Sequence, residues 1–190
     1  TALVAVGTTL SAFWILSLNS WMQTPAGYEI IDGKFYATDW LAIIFNPSFP
    51  YRLAHVLTAS LITSAFVIMG VSAWRIFKSL DGPATHRVLR TGALIAVVAT
   101  PTQLLLGDLH GLNTLEHQPA KIAAMEGIWQ TGSGVPFTLF ALPNEQTRQN
   151  DFAVTIPKLG SLILTHELDG ELQGLDDFSD QHPPVALVFW

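Results

Sequence analysis

YRLAHVLTASLITSAFVIMGVSAW, Tyr51 to Trp74, is the stretch that decides the fold. From Leu53 to Trp74 it contains no Asp, Glu, Lys or Arg, and it has the roughly 20 apolar residues that crossing a hydrocarbon core requires. Two further runs share that property, residues 1–28 on one side and 91–107 on the other, the last being marginal at 17 residues. The chain as a whole has 190 residues, 49% of them hydrophobic and 13% charged. Soluble domains carry about 25% charged residues. The mean hydropathy of +0.38 agrees with a membrane composition.

The expected fold is an all-α integral membrane helical bundle with transmembrane helices at about 2–20, 51–75 and 88–106. An external mixed loop domain and the start of a further helix follow. Small and hydroxyl residues at Gly7, Thr8, Ser11 and Ala12 let the first helix approach a neighbour closely. Trp21 falls where an aromatic belt lies. The connector 21–50 reads as amphipathic, ends in Pro47 and Pro50, and presents Asp39 to Phe45 as a stretch able to lie along the membrane surface. Pro101 removes an amide donor within the third span and predicts a kink near its outer end.

Orientation follows from the basic residues. Arg75, Lys78, Arg87 and Arg90 flank the turn around Asp81-Gly82-Pro83, whereas residues 108–185 hold only Lys121, Arg148 and Lys158. The positive-inside rule makes 75–90 cytoplasmic, and the connector 21–50 and tail 108–184 then both face outward. In the tail, Phe137, Leu139 and Ala141 alternate with other residues, as do Phe152, Val154 and Ile156, which predicts a β-hairpin. Residues 176–184 read as a flexible return path to a further helix beginning at 185–190. The chain opens at Thr1 inside an apolar run and closes inside another, so the expectation is a piece of a longer membrane protein. No cysteine is present, which excludes disulfides and thiolate metal sites. A net charge of −6 argues against a nucleic-acid partner.

Two places could carry chemistry. His55 lies about one turn inside the second span, where an ionisable side chain needs a partner or a task. Neutral imidazole is a common haem and metal ligand, and Thr58, Ala59 and Ile62 leave room beside it. A histidine hydrogen-bonded to another helix is the competing reading. The second place is GDLHGLNTLEHQPAKIAAMEGIW, Gly107 to Trp129. Pro119 suits a first helical turn, and Ile122, Met125 and Trp129 fall at i, i+3, i+7 of one face. Lys121 and Glu126 are five apart, the wrong spacing for a mutual ion pair, so each can serve another group. A carboxylate beside a redox centre takes a proton from a reduced substrate, and a lysine holds that substrate's oxygen. A solvated amphipathic helix is the bland alternative. His110 and His117 lack the spacing of a helical zinc pair, and His86, His166 and His182 read as surface.

TLSAFWIL (Thr9 to Leu16), NSWMQTP (Asn19 to Pro25), GDLHG (Gly107 to Gly111), KIAAME (Lys121 to Glu126) with Trp129, and PPVALVFW (Pro183 to Trp190) together resemble subunit I of the cytochrome bd quinol oxidases. The matches keep their order over nearly the whole chain. The resemblance implies an oxidase that takes electrons from quinol at the outer membrane face. His55 is then an axial ligand to the iron of a low-spin haem b, with its methionine partner downstream of Trp190. Lys121 and Glu126 correspond to the quinol-site lysine and glutamate, and 108–184 to the quinol-binding loop, short as in the cyanide-insensitive branch. The full subunit carries a second haem b and a haem d, and it works with subunit II in the bacterial cytoplasmic (inner) membrane, with the loop on the periplasmic side. The readings from other classes are a non-catalytic membrane anchor or assembly subunit, and a transporter segment with His55 in the permeation path.

Overall fold

The computed structural model describes residues 1–80, 82–178 and 181–189. Asp81 of the basic turn, residues 179–180 of the return path and Trp190 lie outside the described residues. The chain divides into two compact units, Thr1–His110 and Gly111–Trp190.

The first unit is helical. α1 spans Ala2–Trp21, α3 Phe49–Phe77 and α4 Pro83–His117, and all three are long and apolar enough to cross a membrane. Both α3 and α4 start at or beside a proline, Pro50 in the first turn of α3 and Pro83 at the head of α4. Proline's fixed φ suits that position, where its missing N–H costs nothing. α4 therefore begins before residue 88. It also continues past residue 106 to His117, through polar residues that the apolar pattern had assigned to a loop. A helix needs no apolar side chains to propagate. This one stops at Gln118 (φ −141°, ψ 56°), because the residue before Pro119 is barred from helical geometry. Pro101 sits inside α4 without ending it.

Small residues let α3 and α4 pack. Ala65 and Ser72 of α3 are buried, as are Ala96 and Ala99 of α4. A Cβ built on Gly92 would lie 2.6 Å from Met69 Cγ and 3.1 Å from the Ala65 carbonyl oxygen, so α4 meets α3 there with no room to spare. Large apolar side chains such as Val67, Val71, Val97 and Leu104 point outward, as a lipid-facing surface requires.

The connector is more ordered than an amphipathic run. β1 (Tyr28–Ile31) and β2 (Lys34–Ala37) form an antiparallel hairpin around Asp32 and Gly33, both at positive φ. α2 (Trp40–Ile44) follows, capped by Asp39, whose Oδ1 accepts from the amides of Leu41 and Ala42. A buried polar knot ties this segment to α1. The Asn46 amide donates to the carbonyls of Ser17 (3.2 Å) and Ile43 (3.0 Å), and the Ser17 hydroxyl donates to the Ile44 carbonyl at 3.0 Å. Thr24 donates to Asn46 Oδ1 and accepts from the Ser48 amide, each at 3.3 Å. Phe13, Phe45 and Phe49 stack edge to face beside it.

The second unit is mixed. α5 spans Pro119–Glu126, and β4 (Phe137–Asn144) pairs antiparallel with β5 (Gln149–Ile156), the hairpin that the alternation predicts. Two shorter strands, β3 (Gly132–Ser133) and β6 (Glu171–Leu172), pair with each other. α6 covers Leu159–Thr165, a 3-10 turn Leu175–Phe178, and α7 Val185–Val188. The core gathers Ile122, Ala123 and Ala124 of α5 with Ile128, Trp129, Leu164, Leu172, Leu175 and Val185. Met125 is exposed, so the expected face of Ile122, Met125 and Trp129 is not the buried one. The helix ends before Trp129, which removes Trp129 from the helical count.

Candidate functional site

In the first unit the site is built on α3 and α4. His55 sits in the second turn of α3, and Gln103, Gly107 and His110 recur at i, i+4, i+7 along the facing stripe of α4. His55 Nε2 lies 2.9 Å from the Gln103 side-chain nitrogen, and the His55 and His110 rings are 5.8 Å apart. Gly107 lies beside the ring, where a Cβ would be in ordinary van der Waals contact with His55 Cε1 at 3.5 Å. His55 Nδ1 and Gln103 Oε1 are buried and have no hydrogen-bond partner among the described residues. Buried polar atoms normally find partners, so these two atoms are exceptions that call for explanation. One turn further along α3, an apolar groove of about 480 Å³ opens between Thr58, Leu61, Leu94, Ile95 and Thr102. Arg52, one turn before His55, donates from Nη1 to Asn19 Oδ1 at 2.7 Å.

Gln103 and the pairing of His110 with His55 went unseen in the sequence. The one signal for Gln103 is that it is a glutamine in an otherwise apolar span, which does not say which helix it meets. His110 and His117 lie on the same helix, and His117 bonds locally to the Asn113 carbonyl at 2.9 Å. Among the described residues no group of three His, Cys, Asp or Glu side chains could hold a metal.

In the second unit α5 carries Lys121 and Glu126. The helix closes on Gly127, whose left-handed conformation (φ 65°, ψ 35°) excludes most side chains. The Ile128 amide returns to the Ala123 carbonyl at 2.8 Å, and the Ile128 and Trp129 carbonyls accept from the Leu175 and Asp176 amides. Asn150 of β5 fastens this turn: its Nδ2 donates to the Gly127 carbonyl at 2.8 Å and its Oδ1 accepts from the Trp129 indole at 2.8 Å. Beneath the turn lies a cavity of about 270 Å³ lined by Glu126, Gln130, Ser133, Val135, Thr138, Asn150 and Thr155, among others. Its far wall is held by Ser161, whose hydroxyl accepts from the Val135 amide and donates to the Gly170 carbonyl, each at 2.7 Å.

Burial pushes the Glu126 carboxyl above the usual carboxylate range, with no charged neighbour contributing. Lys121 is half-buried, points its ammonium toward Gln118 Oε1 at 3.5 Å, and is not among the described residues that line the cavity. The helix therefore turns the two residues to different flanks. His86 and His166 are exposed, as expected of surface histidines. His182 is not on the open surface: it is half-buried, donates from Nδ1 to the Pro183 carbonyl at 3.0 Å, and lines a second cavity of about 200 Å³ with Trp129, Glu145 and Arg148.

Comparison with known proteins gives one family. Residues 1–190 match the family described as cytochrome bd terminal oxidase subunit I. The cytochrome bd-II ubiquinol oxidase subunit 1 of Escherichia coli (strain K12) is 35% identical over 187 residues, covering 97% of this chain and 36% of the relative. The cytochrome bd ubiquinol oxidase subunit 1 of Bacillus subtilis (strain 168) is 30% identical over 199 residues, covering 99% of this chain and 42% of the relative. The solved bd oxidase of Geobacillus thermodenitrificans superposes with a TM-score of 0.85 at 33% identity, over 98% of this chain and 43% of that one. The chain thus spans 36% to 43% of the length of these proteins. With its three apolar helices and its match from first residue to last, it belongs to the cytochrome bd terminal oxidase subunit I family.

Proposed function

We propose that this chain is the quinol-oxidising part of a cytochrome bd-type terminal oxidase. The observation that carries the reading is Glu126, a carboxyl with a raised pKa on the wall of a cavity. A general base works best when its pKa approaches the operating pH, and burial moves Glu126 in that direction. Oxidation of a quinol releases two protons and two electrons. Glu126 takes a proton from one hydroxyl, and Lys121 donates a hydrogen bond to a substrate oxygen from the other flank of α5. The closed turn at Gly127 and the wall braced by Ser161 restrict water at the carboxyl, which preserves its basicity.

The family is one of cytochromes, and the residues around His55 fit a haem. An imidazole in an apolar helix pair with an unpartnered buried nitrogen is the donor that an iron porphyrin takes. His55 would hold a low-spin haem b, which when bound supplies a one-electron acceptor for the electrons of quinol. The oxygen-reducing haems, a second haem b and a haem d, belong to other parts of the subunit. Residues 108–184 then form the quinol-binding loop on the periplasmic face of a bacterial cytoplasmic membrane, with the 75–90 turn inside and subunit II as the partner. An anchor or transporter role has no comparable use for a buried carboxyl beside a cavity.

Steady-state kinetics of the full oxidase test this. Glu126→Gln lowers kcat with quinol by about 10²–10⁴-fold, the usual cost of losing a general base. Lys121→Ala mainly raises KM, because it removes binding shared by ground and transition states. Both variants keep their haem and still reduce oxygen with an artificial donor that bypasses the quinol site. Quinol kinetics equal to the parent's in both variants would return α5 to a solvated surface helix.

A further inference from the structure

Asn150 lies 24 positions downstream of Glu126, on a different element, and has no titratable group. Yet both ends of its side chain bond to the turn that follows Glu126. Nδ2 donates to the Gly127 carbonyl and Oδ1 accepts from the Trp129 indole, both at 2.8 Å. An amide has one donor end and one acceptor end, and the turn offers one group of each kind in the matching order. The other outward groups here, the Ile128 and Trp129 carbonyls, are taken by the backbone of residues 175–176. The Gly127 carbonyl relies on Asn150. The approach is tight: a Cβ on Gly127 would lie 3.0 Å from Asn150 Nδ2 and 3.2 Å from Oδ1, so any side chain there would push the amide by a few tenths of an ångström. Asn150 and Glu126 also line the same cavity.

We propose that Asn150 is the positioning residue of the quinol site, fixing the Gly127–Trp129 turn so that the Glu126 carboxyl is presented to the cavity in one orientation. The inference rests on the reading of Glu126 as the base. A turn held at both ends keeps the last residue of α5 from fraying, and fraying is the ordinary fate of a helix terminus. Without the clamp, Glu126 samples orientations that do not meet substrate and rotates toward water. A misplacement of about 1 Å costs up to about 10²-fold in rate.

The test is a double-mutant cycle in the full, haem-loaded oxidase, read as kcat and KM with quinol. Asn150→Ala is expected to lower kcat at least tenfold with KM changed less than threefold and the haem spectrum intact. In the Glu126→Gln background the same substitution is expected to lower kcat less than twofold further, because a residue that acts through the base has nothing left to position. Should Asn150→Ala fail to accumulate, Asn150→Asp decides. It keeps the acceptor for Trp129 and loses the donor to Gly127, and the same pattern is expected. A slow Glu126→Gln with a normal Asn150 variant overturns the positioning role and leaves the base intact. Losses that multiply in the double variant overturn it too, since Asn150 would then act independently of Glu126. A Glu126→Gln enzyme as fast as the parent removes the base reading itself.

Discussion

At Glu126 the protonation of the carboxyl is set by how far burial keeps it from water. Burial favours the neutral form, so the group releases its proton at a higher pH than an ordinary glutamate. If Glu126 is the base as proposed, only its carboxylate form is competent, so quinol turnover is expected to fall as pH drops through that raised value, and Glu126→Gln is expected to erase this acid limb. A kcat–pH profile with the limb at an ordinary glutamate pKa, or with the limb surviving in the variant, contradicts the assignment. The same shift has a stability sign. The folded state holds this proton more tightly than the unfolded chain, so stability declines as pH rises between the ordinary and the raised value. His55 answers to a different measurement. His55→Ala is expected to remove the low-spin haem b signal from the reduced-minus-oxidised spectrum of the full protein while the other haems remain, and an unchanged spectrum rejects it as a ligand. Both residues stood out in the sequence, one as an ionisable group in an apolar span and the other as an acid with no ion-pair partner at helical spacing. Their neighbours did not. Gln103 and Asn150 are polar residues whose roles come from elements far along the chain, and spacing within one helix cannot reveal them.

Among the elements, α3 and α4 show how tightly small residues let helices meet. Gly92→Ala places a methyl group 2.6 Å from Met69 Cγ and close to the Ala65 carbonyl. The side chain can yield and the carbonyl cannot, so an overpacking cost of about 1–3 kcal/mol is expected, read as a lower midpoint of thermal unfolding. An unchanged midpoint would mean that the two helices do not touch at Gly92. The three long helices were plain from charge alone, because lipid forbids charge over a fixed length. Their ends were less plain. Charge marks where the hydrocarbon stops, whereas α4 goes on to His117 until Pro119 interferes. The β4–β5 hairpin announced itself by alternation over two segments. The β1–β2 hairpin did not, because each of its strands has only four residues, although Asp32-Gly33 carried the turn signal. Trp129 was misplaced on a helical face because Gly127 ends the helix two residues earlier.

For the molecule as a whole, the distribution of Lys and Arg predicts which side each segment occupies. Protease added to sealed, right-side-out vesicles is expected to cut within 108–184 and to spare 75–90. Cleavage at Arg75 to Arg90 with the tail intact would invert the orientation. The two units draw their stability from different sources. The first relies on the bilayer to cover its large apolar side chains, and the second on its own core around Trp129. The knot of Asn46, Thr24, Ser17 and Ser48 has a consequence for how the first unit moves. These side chains seal the backbone groups of the short irregular link between α2 and α3 and tie it to the end of α1. Amide protons lose their protection when local opening lets water in, and opening here means breaking several buried bonds at once. The amide of Ser48 therefore exchanges with solvent on the clock of the helices that flank it, and the hinge that this irregular stretch suggests on paper is a weld.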